Sequence, residues 1–304
     1  MTARANYSFW LKLASRSALA VALLLIALKT WAWLASGSVS LLAGLTDSLM
    51  DGLASLLNLI AIQIALKPAD REHRFGHGKA EALAGLAQAA FITGSSLLVA
   101  LQAFDRLLHP KSLPATDLAI AVIIVSLVLT LALVSLQRVA YQRTQSTAIA
   151  ADALHYRSDI LLNLGILLAL WGSTQGWVWI DPIAGLSIAA YILFSAWSIV
   201  RQSVRVLMDE ELDDAIRQHI LTLANNTPGV FGAHDLRTRA AGPDWFVQLH
   251  LELAGDINLE QAHRQCDAVE AAIKAAYPQA QVILHADPPS ATVNKRPTDG
   301  ACPN

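Results

Sequence analysis

Cysteine is nearly missing from this chain. Only Cys266 and Cys302 occur in 304 residues, both in the polar C-terminal part, which argues against a disulfide-built framework. Charge is scarce too. Asp, Glu, Lys and Arg make up 15% of the residues with a net charge of −2, so there is no bulk basic surplus to hold nucleic acid. No His-Glu-x-x-His segment occurs, which removes the helix-borne motif of zinc hydrolases.

What is abundant is apolar sequence, in blocks rather than at a surface-helix period. Mean hydropathy is +0.43 and 54% of residues are hydrophobic, too apolar for an ordinary soluble domain. Candidate spans read 11–34, 39–66, 82–107, 116–137, 148–171 and 178–200, each near the ~20 residues that cross a bilayer core. The first span is longer than a signal's apolar region and no small-residue cleavage site follows it. Small residues such as Gly85, Ala87, Ala89 and Ala90 allow close helix approach in lipid. From Asp209 onward charge is dense and no long apolar block follows. The expected division is therefore 1–208, a six-helix membrane domain, 209–290, one small soluble domain, and 291–304, a polar disordered tail.

The basic residues are segregated. Arg4, Lys12 and Arg16 precede or open the first span; Lys67, Arg71, Arg74 and Lys79 fill the second connection; Arg138 and Arg143 fill the fourth; Arg201 and Arg205 close the last span. Connections one and five have no Lys or Arg, and the third has only Arg106 and Lys111. The positive-inside rule then puts both termini in the cytoplasm. Trp31, Trp33, Trp171, Trp177 and Trp179 fall near the opposite interface, as an aromatic belt does. Lys29, inside the first span, is expected to snorkel to the outer interface, with a part in transport as the alternative.

The soluble part reads as helix 211–226, strand 233–239, strand 245–253, helix 258–277 and strand 282–285. The order α-β-β-α-β indicates a small α+β sheet of the ferredoxin-like kind.

Three clusters carry chemistry. Asp47 and Asp51 are four apart in the second span, and His155 and Asp159 are four apart in the fifth. A four-residue step returns to one helix face, and ionisable groups in a span are functional by default. Facing helices would gather three carboxylates and one imidazole, a four-coordinate set for a divalent transition metal. Asn58 and Asn163 lie further along the same helices. Metal needs the imidazole neutral and the carboxylates ionised, so metal and protons compete for the same atoms. Exposure to each side in turn makes that competition an antiport cycle, with protons returning as metal leaves.

The second cluster is Asp70, His73 and His77 in the second connection. It reads either as a metal site or as a solvated loop whose charges orient the chain. Lys79 and Glu81 read there as helix-start and ion-pair residues. The third comprises His234, His250, His285 and Asp287 with His263 on the intervening helix, a metal-binding set spread over three strands. His109 and His219 have no comparable company.

The Asp47-Ser-Leu-Met-Asp51 and His155-Tyr-Arg-Ser-Asp159 pairs resemble the paired motifs of the cation diffusion facilitators. Gly37-Ser-Val-Ser40, Phe75-Gly-His-Gly-Lys-Ala-Glu81 and His234-Asp-Leu-Arg-Thr-Arg239 are similar as well. The likeness covers residues 8–289 and is nearest the bacterial zinc and iron efflux branch. It implies a homodimer with a metallochaperone-like cytoplasmic domain in the inner membrane, exchanging Zn2+, and also Cd2+ or Fe2+, for protons. It also implies that Asp47, Asp51, His155 and Asp159 form the transport site, and that Asp70, His73 and His77 form an interfacial one. His234, His250, His263, His285 and Asp287 would form a binuclear cytoplasmic site where zinc is structural. Lys79 and Asp209 match a charge pair at the dimer contact. Ala286 departs from the family, whose members commonly carry Gln there. No cluster contains cysteine, which argues against a Cu(I) specialist.

The expectation is a proton-coupled exporter of divalent metals. The alternatives are an intramembrane metalloenzyme, for which four protein ligands leave no open coordination position, and a sensor or scaffold that binds without transporting.

Overall fold

The computed structural model describes residues 3–36, 39–109, 117–174 and 179–289. Residues 37–38 and 175–178, Lys111, and the tail from 290 with Cys302 lie outside them. The chain divides into two compact units, one over Asn6–Val204 and the other from Arg205 on, to which the first residues, up to Ala5, are also assigned.

The first unit is six long helices: α1 Ala3–Ser36, α2 Val39–Ala65, α3 Ala80–Leu108, α4 Asp117–Thr144, α5 Thr147–Thr174 and α6 Ile180–Leu207. Five of them, all but α5, are long and apolar enough to cross a membrane. Helix α5, the fifth span read from the sequence, has 28 residues, but its first half carries Asp152, His155, Arg157 and Asp159. These four ionisable side chains lower its apolarity. Trp31, Trp171 and Trp179 are exposed, as belt residues should be.

Small and polar side chains line the helix contacts. Ala89 and Ile92 of α3, Ala151 and Leu154 of α5, and Ile192, Ala196 and Ile199 of α6 form one buried cluster. Gly85 lets α3 approach closely, because an added Cβ would stand 2.9 Å from Ser203 Oγ on α6 and 3.3 Å from the Thr147 carbonyl on α5.

The helices alternate in direction. Leu11 and Ala14 near the start of α1 pack with Ile62 near the end of α2, Ala140 near the end of α4, and Ala148 and Ile149 at the start of α5. At the other end, Ala32 of α1 meets Leu41 of α2 and Val122 of α4. Glu81 is the pin of the first end. Its carboxylate accepts from Tyr7 Oη at 2.6 Å and from Ser146 and the backbone N–H groups of Thr147 and Ala148. It therefore caps α5 rather than forming the ion pair expected of it, since free N–H groups at a helix start attract an anion.

The second unit holds α7 Asp214–Asn225, β1 Gly232–Ala241, β2 Asp244–Glu252, α8 Leu259–Ala276 and β3 Ala280–Asp287. The sheet order is β1-β2-β3, with β1 antiparallel to β2 and β3 parallel to β2. Helix α8 makes the crossover that a parallel pair needs. It starts in a capping box, where Asn258 accepts from the Gln261 N–H while the Gln261 side chain reaches back to Asn258, and it stops before Pro278. Val247, Leu249 and Leu251 of β2, with Leu253 just after it, alternate inward against Ile220 of α7 and Val269 and Ile273 of α8. That packing leaves the other sheet face to polar side chains.

Candidate metal centres

The α-helical period brings Asp51 of α2 to the face that meets α5. Its Oδ1 lies 2.9 Å from His155 Nε2, and Asp159 Oδ2 is 4.0 Å from the same nitrogen. One donor atom from each of the three lies within 4.8 Å of the others. Asp51 is 8% exposed and His155 5%, so these two are buried, while Asp159 is half-buried. Asp47, one turn earlier on α2, is exposed and lies outside this tight group.

The His155 ring packs edge-on to Phe91 and Tyr156. Tyr156 is 1% exposed; its hydroxyl bonds Ser55 Oγ on α2 at 2.8 Å and the Ala18 carbonyl on α1 at 3.2 Å. The residue after the imidazole thus ties α5 to α1 and α2 beside the site, a role the periodicity did not mark.

Lys29 does not snorkel. Its Nζ donates to the Gly44 carbonyl at 3.0 Å and to Ser48 Oγ at 2.6 Å, both on α2. A low-dielectric interior makes an internal acceptor worth more than a stretched side chain reaching for water.

In the connection between α2 and α3, Asp70 Oδ1 accepts the backbone N–H of His73 at 2.7 Å and of Glu72 at 3.0 Å, an Asx-type turn. Gly76, at φ +80, closes the loop by donating to the His73 carbonyl. The fold brings all three candidates together: His77 Nε2 is 3.4 Å and His73 Nδ1 3.5 Å from the Asp70 carboxylate. The backbone N–H of His73, with that of Glu72, holds the Asp70 carboxyl below the usual carboxylate range.

In the sheet, register does the gathering. His234 pairs across from His250 and His250 across from His285, so three imidazoles stand in one row. Asp287 is the hub, with Oδ2 at 2.7 Å from His250 Nδ1 and 3.6 Å from His234 Nε2 and Oδ1 at 3.2 Å from His285 Nε2. Both His234 ring nitrogens are buried and make no hydrogen bond, which suits them to act as metal donors. His263 stands apart from the row and pairs with Asp267 of its own helix at 3.5 Å.

Two acids that sequence reading missed border the row. Asp235, held at φ +48, reaches within 3.7 Å of His250 Nε2, and Glu252 Oε1 lies 3.3 Å from His234 Nδ1. Asp235 follows His234 directly, but a strand places neighbours on opposite faces; only the bulge between His234 and Arg237 turns it inward. Burial pushes the Cys266 thiol up, so it stays a protonated, half-buried side chain rather than a thiolate ligand. Asp209 pairs with Arg239 at 3.3 Å, while Lys79 sits at the N-cap of α3.

Two family models match in succession: the cation efflux transmembrane domain over residues 15–208 and the cation efflux protein cytoplasmic domain over 212–289. A cation-efflux pump FieF of Shewanella oneidensis is 50% identical over 288 residues, covering 95% of this chain and 97% of that protein. A protein of the same name from Escherichia coli O139:H28 is 47% identical over 280 residues, covering 91% and 93%. Among solved structures, the zinc form of CzrB is 35% identical with a TM-score of 0.26, covering 29% of this chain and 99% of that one. A manganese form of the MamM C-terminal domain is 30% identical with a TM-score of 0.24, covering 25% and 96%. The chain is therefore a multi-pass membrane protein with a cytoplasmic C-terminal domain, a transporter and not an enzyme, and it belongs to the cation efflux family.

Proposed function

We propose that this protein exports divalent transition-metal ions from the cytoplasm in exchange for protons, with Zn2+ as the main cargo and Cd2+ or Fe2+ also carried. The observation that carries this reading is the meeting of Asp51, His155 and Asp159 across α2 and α5, inside a bundle built of membrane-length helices. Two carboxylates and one imidazole offer borderline metals three donors, and Asp47 one turn away supplies the fourth when α2 and α5 close on the ion. The same atoms take protons once metal leaves, so each turn of the cycle exchanges one cation for the other.

In this reading residues 1–208 form the transport domain, 209–290 the cytoplasmic domain and 291–304 a tail. The chain lies in the bacterial inner membrane as a homodimer with both termini cytoplasmic. Asp70, His73 and His77 take metal at the membrane interface. His234, His250, His285 and Asp287, joined by His263, hold structural zinc that braces the dimer, and Lys79 pairs with Asp209 at the dimer contact.

The test is metal-driven proton flux in proteoliposomes. Asp51→Ala removes the carboxylate 2.9 Å from His155 and should abolish the flux while the dimer stays folded. Undiminished flux in that variant overturns the assignment, and zinc binding without vectorial uptake by the wild type would make the protein a sensor or scaffold.

A further inference from the structure

A third acid is buried in the bundle, and neither pair of spaced ligands includes it. Asp152 lies three residues before His155 on α5, on the same helix face, and is 2% exposed. Its Oδ2 accepts from Gln137 Nε2 of α4 at 2.7 Å, and Asn58 of α2 stands in hydrogen-bonding reach of the same carboxylate. Its hydrogen-bonding neighbours are thus two neutral amides, and the His155 imidazole, one turn on, is close enough to interact with it electrostatically without bonding it. A carboxylate buried in a membrane bundle with only amides for hydrogen-bonding partners is costly, and such residues mark ion routes.

Position gives the route. The ends of α2 and α4 and the start of α5 share one end of the bundle. Late α6 meets early α3 at that same end, and α6 leads into the cytoplasmic domain. Asp152 precedes His155 on α5, and Asn58 follows Asp51 by seven residues on α2, so both lie on the cytoplasmic side of the three-ligand group. Three buried oxygens there have no hydrogen-bond partner: Asp152 Oδ1, Asn58 Oδ1 and Gln137 Oε1.

We propose that Asp152, Asn58 and Gln137 form a waypoint for the divalent cation between the cytoplasm and the Asp51, His155 and Asp159 group. The two amides now turn N–H toward the carboxylate. Half a turn about the terminal torsion, which has a broad two-fold profile, presents oxygen instead. An arriving cation then meets one carboxylate and two carbonyl dipoles. Such a set strips part of the hydration shell, and with a single negative charge and no imidazole it holds the ion loosely enough to pass on. This inference rests on the transport reading above.

The experiment is stopped-flow zinc exchange on the full chain, with the Asp51→Ala variant subtracted to isolate the intramembrane site, alongside zinc uptake in proteoliposomes. For Asp152→Asn, association and dissociation should slow together by about tenfold while the equilibrium affinity stays within about twofold. A conservative Asp152→Glu should restore most of the rate. Unchanged exchange rates overturn the waypoint. So does a loss of affinity that matches the loss of association rate, since that marks a residue that only positions His155. If Asp152→Asn does not assemble, Asn58→Ala, which removes one oxygen and leaves the carboxylate, should slow exchange in the same paired manner, and unaltered exchange there overturns the proposal. A wild-type protein that moves no zinc would instead sink the transport reading.

Discussion

Replacing Asp287 with Asn should cripple the cytoplasmic metal centre while barely changing its shape. The side chain is buried at the centre of the row, with one oxygen turned to His250 and His234 and the other to His285. Asparagine fits the same space but loses the charge and one acceptor, and its amide N–H groups then face ring nitrogens that must stay free for metal. A structural zinc site contributes about 10–16 kcal/mol over about four ligands. One donor therefore carries about 3 kcal/mol, roughly a hundredfold in affinity. Zinc at about 100 times the wild-type Kd stabilises the folded domain by about 2.7 kcal/mol, and a hundredfold weaker site leaves about 0.4 kcal/mol of that. Competition against a chromophoric zinc chelator, on an Asp51→Ala background, reads the affinity. Hydrogen exchange of the β2 amides with and without zinc reads the stabilisation. Zinc affinity within about threefold of wild type, or undiminished zinc protection of β2, would refute the hub role.

Two further outcomes follow from local geometry. Gly85→Leu should pry α3 from α5 and α6, because even a Cβ there stands 2.9 Å from Ser203 Oγ; overpacking of this kind costs about 1–3 kcal/mol, and an unchanged thermal midpoint in detergent contradicts the close approach. The loop order that the ionised Asp70 supports is fully present above its ordinary value of 3.8 and is lost as pH falls through its lowered folded value. NMR of 13C-labelled aspartate in metal-free protein should therefore show Asp70 titrating below 3.8, and a midpoint at or above that value rejects the role of the His73 and Glu72 N–H groups.

How far each site could be read in advance depends on how local its cause is. The pairs Asp47/Asp51 and His155/Asp159 were visible because a four-residue step fixes a helix face whatever the helix packs against. The loop triad was visible for a similar reason, since Asp70 and His73 are joined by a turn of the backbone itself. Lys29 departs from the snorkelling expectation because its acceptors, Gly44 and Ser48, lie on the next helix, and no rule of spacing reveals them. Glu81 looked like an ion-pair partner and proved to be the cap of α5, a contact more than sixty residues away along the chain. Asp152 lay one turn from His155 in plain view, yet it has no partner four residues away, and its meaning depends on Gln137 from α4.

Taken by itself, the sequence determined the number and order of the long helices, the place where apolar text gives way to a charged α+β domain, and which residue types could hold a metal. Those are consequences of hydrophobic transfer and of backbone periods, which act within one segment. Tertiary structure alone decided which candidates meet. Helix packing set Asp51, His155 and Asp159 around one point and left Asp47 a turn away. Strand register aligned His234, His250 and His285 on Asp287 and left His263 with Asp267. A ligand set is defined by distances between segments, and those distances follow from how whole faces pack.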